Sequence, residues 1–194
     1  NLQVGYAPEQ PIPYSHRLHA GQLGMDCRYC HANVERSQEA MIPPTQTCMG
    51  CHAVVKAQSP QLAALRESWE TGDPVPWVRV HKVPEHAYFD HSAHVAVGVG
   101  CVSCHGRVDQ MELVRVDQPI SMTWCLDCHR DPAPNLRPPE LITNMECALT
   151  GAACANAEEC CSGACSADAT CAPLELATAR AVVVPPEHCS GCHR

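Results

Sequence analysis

Cys27-Arg28-Tyr29-Cys30-His31 sets a form that returns four times, as Cys48-Met49-Gly50-Cys51-His52, Cys101-Val102-Ser103-Cys104-His105, Cys125-Leu126-Asp127-Cys128-His129 and Cys189-Ser190-Gly191-Cys192-His193. Two thiols three positions apart can each bond one vinyl group of the same porphyrin, and the adjacent His then reaches the iron as proximal ligand. The motifs therefore predict five covalently bound haem c groups. Cys27, Cys30, Cys48, Cys51, Cys101, Cys104, Cys125, Cys128, Cys189 and Cys192 would attach them, and His31, His52, His105, His129 and His193 would be the proximal ligands. Zinc is the rival reading, since paired Cys-x-x-Cys motifs build zinc ribbons. A ribbon has no reason to place His directly after the second Cys every time. A thioredoxin-like redox pair would need a βαβ pattern around it, and none is present.

Composition agrees. Aromatic residues make up 4% of the 194, with a single Phe at Phe89. A soluble chain of this length normally buries several aromatic rings, so porphyrins are expected to take their place in the core. The formal net charge of −8 argues against nucleic acid and anionic membrane surfaces as partners.

Six of the sixteen Cys lie outside the motifs, at Cys147, Cys154, Cys160, Cys161, Cys165 and Cys171. An even-numbered cluster this tight reads as three disulfides and an oxidising compartment. Haem attachment agrees, because c-type maturation in bacteria takes place outside the cytoplasmic membrane. No secretory leader is visible, so one is expected to have been removed or to lie upstream. Residues 141–175 are Ala-rich and lack His, and their pattern Cys-x6-Cys-x5-Cys-Cys-x3-Cys-x5-Cys resembles inhibitor cystine-knot modules. Six Cys allow fifteen connectivities. The resemblance implies Cys147 with Cys161, Cys154 with Cys165, and Cys160 with Cys171.

The chain also repeats itself. His16 and His19 precede the motifs at Cys27 and Cys48, and His91 and His94 precede those at Cys101 and Cys125, at offsets of 75, 74 and 77. Tyr14-Ser15-His16 answers to Phe89-Asp90-His91. Four segments follow: 1–78 with two haems, 79–140 with two more, 141–175 as the disulfide module, and 176–194 with the fifth motif. The expected fold class is a multihaem cytochrome c, with short helices at the motifs, minimal strand, and irregular loops around a haem-packed core. Ser59-Pro60 should start a helix with a Leu62, Leu65 and Trp69 stripe, stopped at Thr71-Gly72-Asp73-Pro74. Val78–Val83 and Leu113–Val116 read as possible short strands, and seventeen Pro favour loops elsewhere.

Seven His remain for the distal sides of the irons. His16, His19, His91 and His94 supply four, and three-residue spacing can send the two rings of a pair to different haems. The fifth falls to His81, with His86 and His188 as alternatives. Thioether ligation by Met would raise a haem's potential, but the supply of His favours a fully bis-His set.

The stretch from Gly5 to Cys30, including Tyr14-Ser15-His16-Arg17-Leu18-His19-Ala20-Gly21, resembles class III-type multihaem cytochromes c. Tyr88-Phe89-Asp90-His91-Ser92-Ala93-His94-Val95, Cys101 to Gly106, Met122-Thr123-Trp124-Cys125 and Cys189 to Arg194 fit as well. More specifically, they resemble the pentahaem cytochrome subunit of bacterial alternative complex III, everywhere except residues 141–175. The resemblance implies an electron-carrier subunit, not itself an enzyme, in a quinol-oxidising membrane complex. It implies an iron–sulfur subunit upstream, and a monohaem cytochrome c or terminal oxidase downstream. The location implied is the periplasmic side of the bacterial inner membrane, anchored by an upstream segment or by partners. No small-molecule substrate is expected. Two other classes compete with it: a unit of an extracellular cytochrome conductor, and a haem reductase with one open iron. The reductase would often replace a proximal His by Lys, which no motif here does.

Overall fold

Each motif sits on its own short helix, because the thiols and His at positions i, i+3 and i+4 must share one face. The computed structural model describes residues 3–147, 151–172 and 184–193. The expected junction at 175/176 and the terminal Arg194 lie outside the described residues. Helix α1 (Cys27–Cys30) is capped by Asp26, whose carboxylate accepts from the Arg28 N–H at 2.8 Å. Helix α2 (Thr45–His52) follows Pro44. Helix α3 (Ala63–Thr71) carries no motif. Helix α4 (His91–Val97) is capped by Asp90, and α5 (Cys101–His105) starts after Gly100. Helix α6 (Met122–Arg130) is capped by the Ser121 hydroxyl, which accepts from the Trp124 N–H at 3.2 Å, and α7 (Cys189–Cys192) carries the last motif.

The helix after Ser59 opens as a 3-10 turn over Pro60–Leu62 before becoming α3. Gly72, at φ +82°, ends it in the left-handed conformation that glycine adopts without steric cost. Its inward face differs from the expected stripe: Leu65 is 3% exposed, but Trp69 is 50% exposed. Ser68 turns inward instead, because its hydroxyl donates to the Asp73 carbonyl at 2.6 Å and meets Thr45 Oγ1 at 2.7 Å.

Neither expected strand forms. Among the described residues the only β pairing is isolated bridges, such as Ala87 with His193 and Val99 with Leu136. The backbone groups find single partners elsewhere. The Gln10 side chain takes both the Val78 N–H (3.0 Å) and carbonyl (2.9 Å). Val116 exchanges bonds with Gly5 and Tyr6 at 2.8 and 2.9 Å.

Three disulfides join Cys147 to Cys161, Cys154 to Cys165 and Cys160 to Cys171, the pairing that the knot-like pattern implied. Cys154, Cys160 and Cys171 are the connected buried cluster, with Cys165 packed on it. Cys161 is buried beside them, and the other buried apolar side chains among the described residues, Ile12, Leu65, Met111, Val116, Leu136, Ile142 and Met145, are spread along the motif-bearing part.

Candidate haem centres

Three of the five motif His residues share a hydrogen bond that decides what their rings can do. His31 Nδ1 donates to the Met41 carbonyl at 2.7 Å, His52 Nδ1 to Val55 at 2.9 Å, and His129 Nδ1 to Pro186 at 2.8 Å. Three His outside the motifs do the same: His19 to Ser15 (2.9 Å), His91 to Gln38 (2.8 Å) and His94 to Asp90 (2.7 Å). A carbonyl only accepts, so Nδ1 holds the proton and Nε2 keeps its lone pair for a metal. Metal-bound imidazoles are generally held this way.

The rings then pair off. Two imidazoles on opposite sides of one metal, with metal–nitrogen bonds of about 2.0 Å, have ring centres about 6 Å apart. His19 and His52 stand 6.2 Å apart, His94 and His129 6.2 Å, and His91 and His105 6.4 Å with their planes 6° from parallel. In the second repeat the first His thus meets the third motif and the second His meets the fourth. In the first repeat His19 meets the second motif, and His31 of the first motif acts electrostatically on His16.

One aromatic ring organises each pair. Tyr14 stacks on His19 at 4.5 Å and stands edge-on to His16 at 4.8 Å. Phe89 stacks on His94 at 4.8 Å and stands edge-on to His91 at 4.7 Å. The matching wording of the two repeats was the only signal of this role in the sequence. The carbonyls of Gln38, Met41, Val55 and Pro186 gave none, because any residue offers one.

The spare His go to unexpected places. His81, expected as the fifth distal ligand, lies edge-on against His105 of the third motif at 4.6 Å, with its Nε2 buried and unpartnered. His86 reaches the fifth motif instead, 5.4 Å from His193. The Ala87–His193 bridge and a 2.7 Å bond from the Tyr88 N–H to the Cys192 carbonyl bring it there. That bridge sets the two backbones side by side, so His86 flanks the His193 ring. His188 bends over its own helix, 3.1 Å from Ser190 Oγ, where any side chain at Gly191 would strike it and Pro186.

Burial dominates the electrostatics. It lowers His16 to about 4 and His105 to about 3, and lifts the Cys104 thiol to about 12. Tyr14 is also pushed up by burial. Arg137, 1% exposed, packs its guanidinium on Gly100 next to Cys101 and donates to the Asn144 carbonyl at 2.6 Å. Its Nε and Nη2 find no partner, which leaves a buried cation beside the third motif.

The donor set suits haem better than zinc. All ten motif thiols stay unpaired. Among the described residues, the one cluster of three or more metal-capable side chains is Cys154, Cys160 and Cys171, whose sulfurs are spent in disulfides. The thiol pairs therefore do not converge into tetrahedral sites. Beside Cys48, a cavity of about 370 Å³ is walled by Leu65 and Pro74-Val75-Pro76-Trp77, an apolar setting suited to a porphyrin.

Thiol pairs beside imidazoles with a free Nε2 support a multihaem c-type cytochrome. No family model matches the chain. Over 144 residues it is 33% identical to the multihaem cytochrome c subunit of menaquinone reductase from Nitratidesulfovibrio vulgaris, a stretch covering 74% of this chain and 60% of that protein. The likeness supports covalently bound haem c, and the chain spans 60% of that relative's length. Among the described residues no helix is long and apolar enough to cross a membrane.

Proposed function

We propose that the chain is a pentahaem electron relay within a respiratory membrane complex that reacts with quinone. Cys27 and Cys30, Cys48 and Cys51, Cys101 and Cys104, Cys125 and Cys128, and Cys189 and Cys192 attach the haems. His31 with His16, His52 with His19, His105 with His91, and His129 with His94 hold the first four irons. At the fifth, His193 is flanked by His86, which replaces His81 as the nearest candidate. Haem supplies one-electron chemistry when bound. The chain's part is to fix His19, His31, His52, His91, His94 and His129 through their Nδ1 bonds, which also raises their basicity. Paired imidazoles would leave a bound iron no open position for small reactants.

The observation that carries this reading is the duplicated geometry: two repeats, each with one aromatic ring and two outward-reaching imidazoles. Partners follow from the resemblance: an iron–sulfur subunit on one side and a monohaem cytochrome c or terminal oxidase on the other, on the periplasmic face. In that setting electrons come from quinol, as in alternative complex III. The similarity to a menaquinone reductase subunit favours a second reading, in which the same relay delivers electrons towards quinone.

A pyridine haemochromogen assay, followed by low-temperature EPR with and without carbon monoxide, tests the relay. Five haems are expected, with low-spin signals from the four double-imidazole sites and no carbon monoxide uptake there. Zinc in place of haem, or carbon monoxide binding at two or more haems, would overturn it.

A further inference from the structure

We infer that the five haem sites form one unbranched row in the order second, first, third, fourth, fifth, so that electrons arrive and leave at the second and fifth sites. The inference rests on reading the motifs as haem sites. The order departs from the order of motifs along the chain, and four separate links build it.

Tyr14 makes the first link. Its single ring touches both His19, which pairs with His52 of the second motif, and His16, beside the first. Residues 142 and 143 make the second link, between the first and third motifs. The Ile142 carbonyl accepts from the Cys101 N–H at 3.1 Å, at the start of α5. Thr143 Oγ1 donates to Asp26 Oδ2 at 2.9 Å, at the cap of α1. The loop after α1 adds a clasp, since its Met41 carbonyl holds His31 and its Gln38 carbonyl holds His91, the partner of His105.

Phe89 repeats the work of Tyr14 between the third and fourth sites, touching both His91 and His94. Pro186 makes the last link. Its carbonyl holds His129 of the fourth motif at 2.8 Å, three residues before Cys189 of the fifth, and Arg130 pairs with Glu187 at 3.7 Å alongside.

Exposure agrees with this order independently. Of the ten motif thiols, the exposed ones are Cys51 and Cys189, in the second and fifth motifs. The thiols of the first, third and fourth motifs, inside the row, are all half-buried. The second motif turns its other side to α3 and the Pro74–Trp77 wall, which carry no motif.

The test counts neighbours in the purified holoprotein. A haem count other than five overturns the site reading, and the order with it. With five present, His19→Met raises the potential of the second haem so that it can be reduced alone. A reduced low-spin iron is diamagnetic, so each adjacent oxidised haem loses a spin-coupling partner, read by low-temperature EPR relaxation. His19→Met is expected to alter one other haem, and His91→Met, at the third site, is expected to alter two. Should His91→Met fail to assemble, His94→Met at the fourth site is also expected to alter two. Any other count in these variants overturns the order.

Discussion

Between Cys147 and Cys171, three disulfides close on a cluster of buried half-cystines within 25 residues. Residues 3–147 hold eight free thiols and only a scatter of buried apolar side chains. Neither region has enough hydrophobic side chain to fold as an ordinary domain, and each meets the shortage covalently. The module ties sulfur to sulfur and completes its core alone. On the proposed reading the motif-bearing region ties sulfur to haem, which would finish the core that its own side chains leave open. Asn144 joins the two: its carbonyl accepts from buried Arg137, and its side chain caps the N–H groups of Glu146 and Cys147.

The sharpest way to break this comparison is to make the chain in an oxidising compartment that lacks haem attachment. Limited proteolysis, followed by mass spectrometry without reductant, is expected to spare a fragment around 147–172 and to degrade the rest. A resistant haem-free 3–147 would remove the contrast. Next in size, replacing Cys160 and Cys171 together by Ala is expected to destabilise the module by about 2–4 kcal/mol. Denaturant titration followed by mass-detected proteolysis measures this. The Soret spectrum should not move, and a shift would make the module part of the haem core.

A smaller effect is expected of Gly98→Ala. Gly98 sits at φ +100° against the Arg137 backbone, so a side chain there meets both strain and a clash. The left-handed conformation alone costs about 1–2 kcal/mol. A lower melting temperature of the motif-bearing region, with the module unchanged, is the expected outcome.

The smallest concerns Asp26. Hydrogen bonds from the Arg28 side chain, and then from the Arg28 N–H and Thr143, hold its carboxyl down at about 2. A lowered carboxylate contributes stability fully above its ordinary value, and that contribution is lost as pH falls through the folded one. The window thus lies between about pH 4 and about pH 2. Acid unfolding of Asp26→Asn should lack that component. Because the pair is partly exposed, the difference should be modest. Identical acid profiles would mean that the link between 143 and α1 contributes nothing.

Much of this was legible in the residues. The motifs located their helices, since i, i+3 and i+4 spacing is local geometry, and the Cys pattern gave the bridges. Trp69 and the two expected strands show where local reading stops. Trp69 lost its inward place to Ser68, whose bonds run to Asp73 and Thr45, and Val78 lost its strand to the side chain of Gln10, 68 positions away. Arg137 gave no signal at all, because its burial comes from the turn at Gly98 and Gly100 folding over it.

The haem-attachment motifs and the repeat belong to the sequence by itself, because each is fixed by spacings of a few residues or by a shift of about 75 along the chain, while the disulfide pairing was implied by the resemblance to cystine-knot modules. Which imidazole meets which motif, and in what order the motifs stand, was decided only by the tertiary structure. Those choices depend on carbonyls contributed from 53 residues away at Gln38 and 57 at Pro186. A backbone carbonyl looks the same in every residue, so only the path of the chain can say which one a histidine will find.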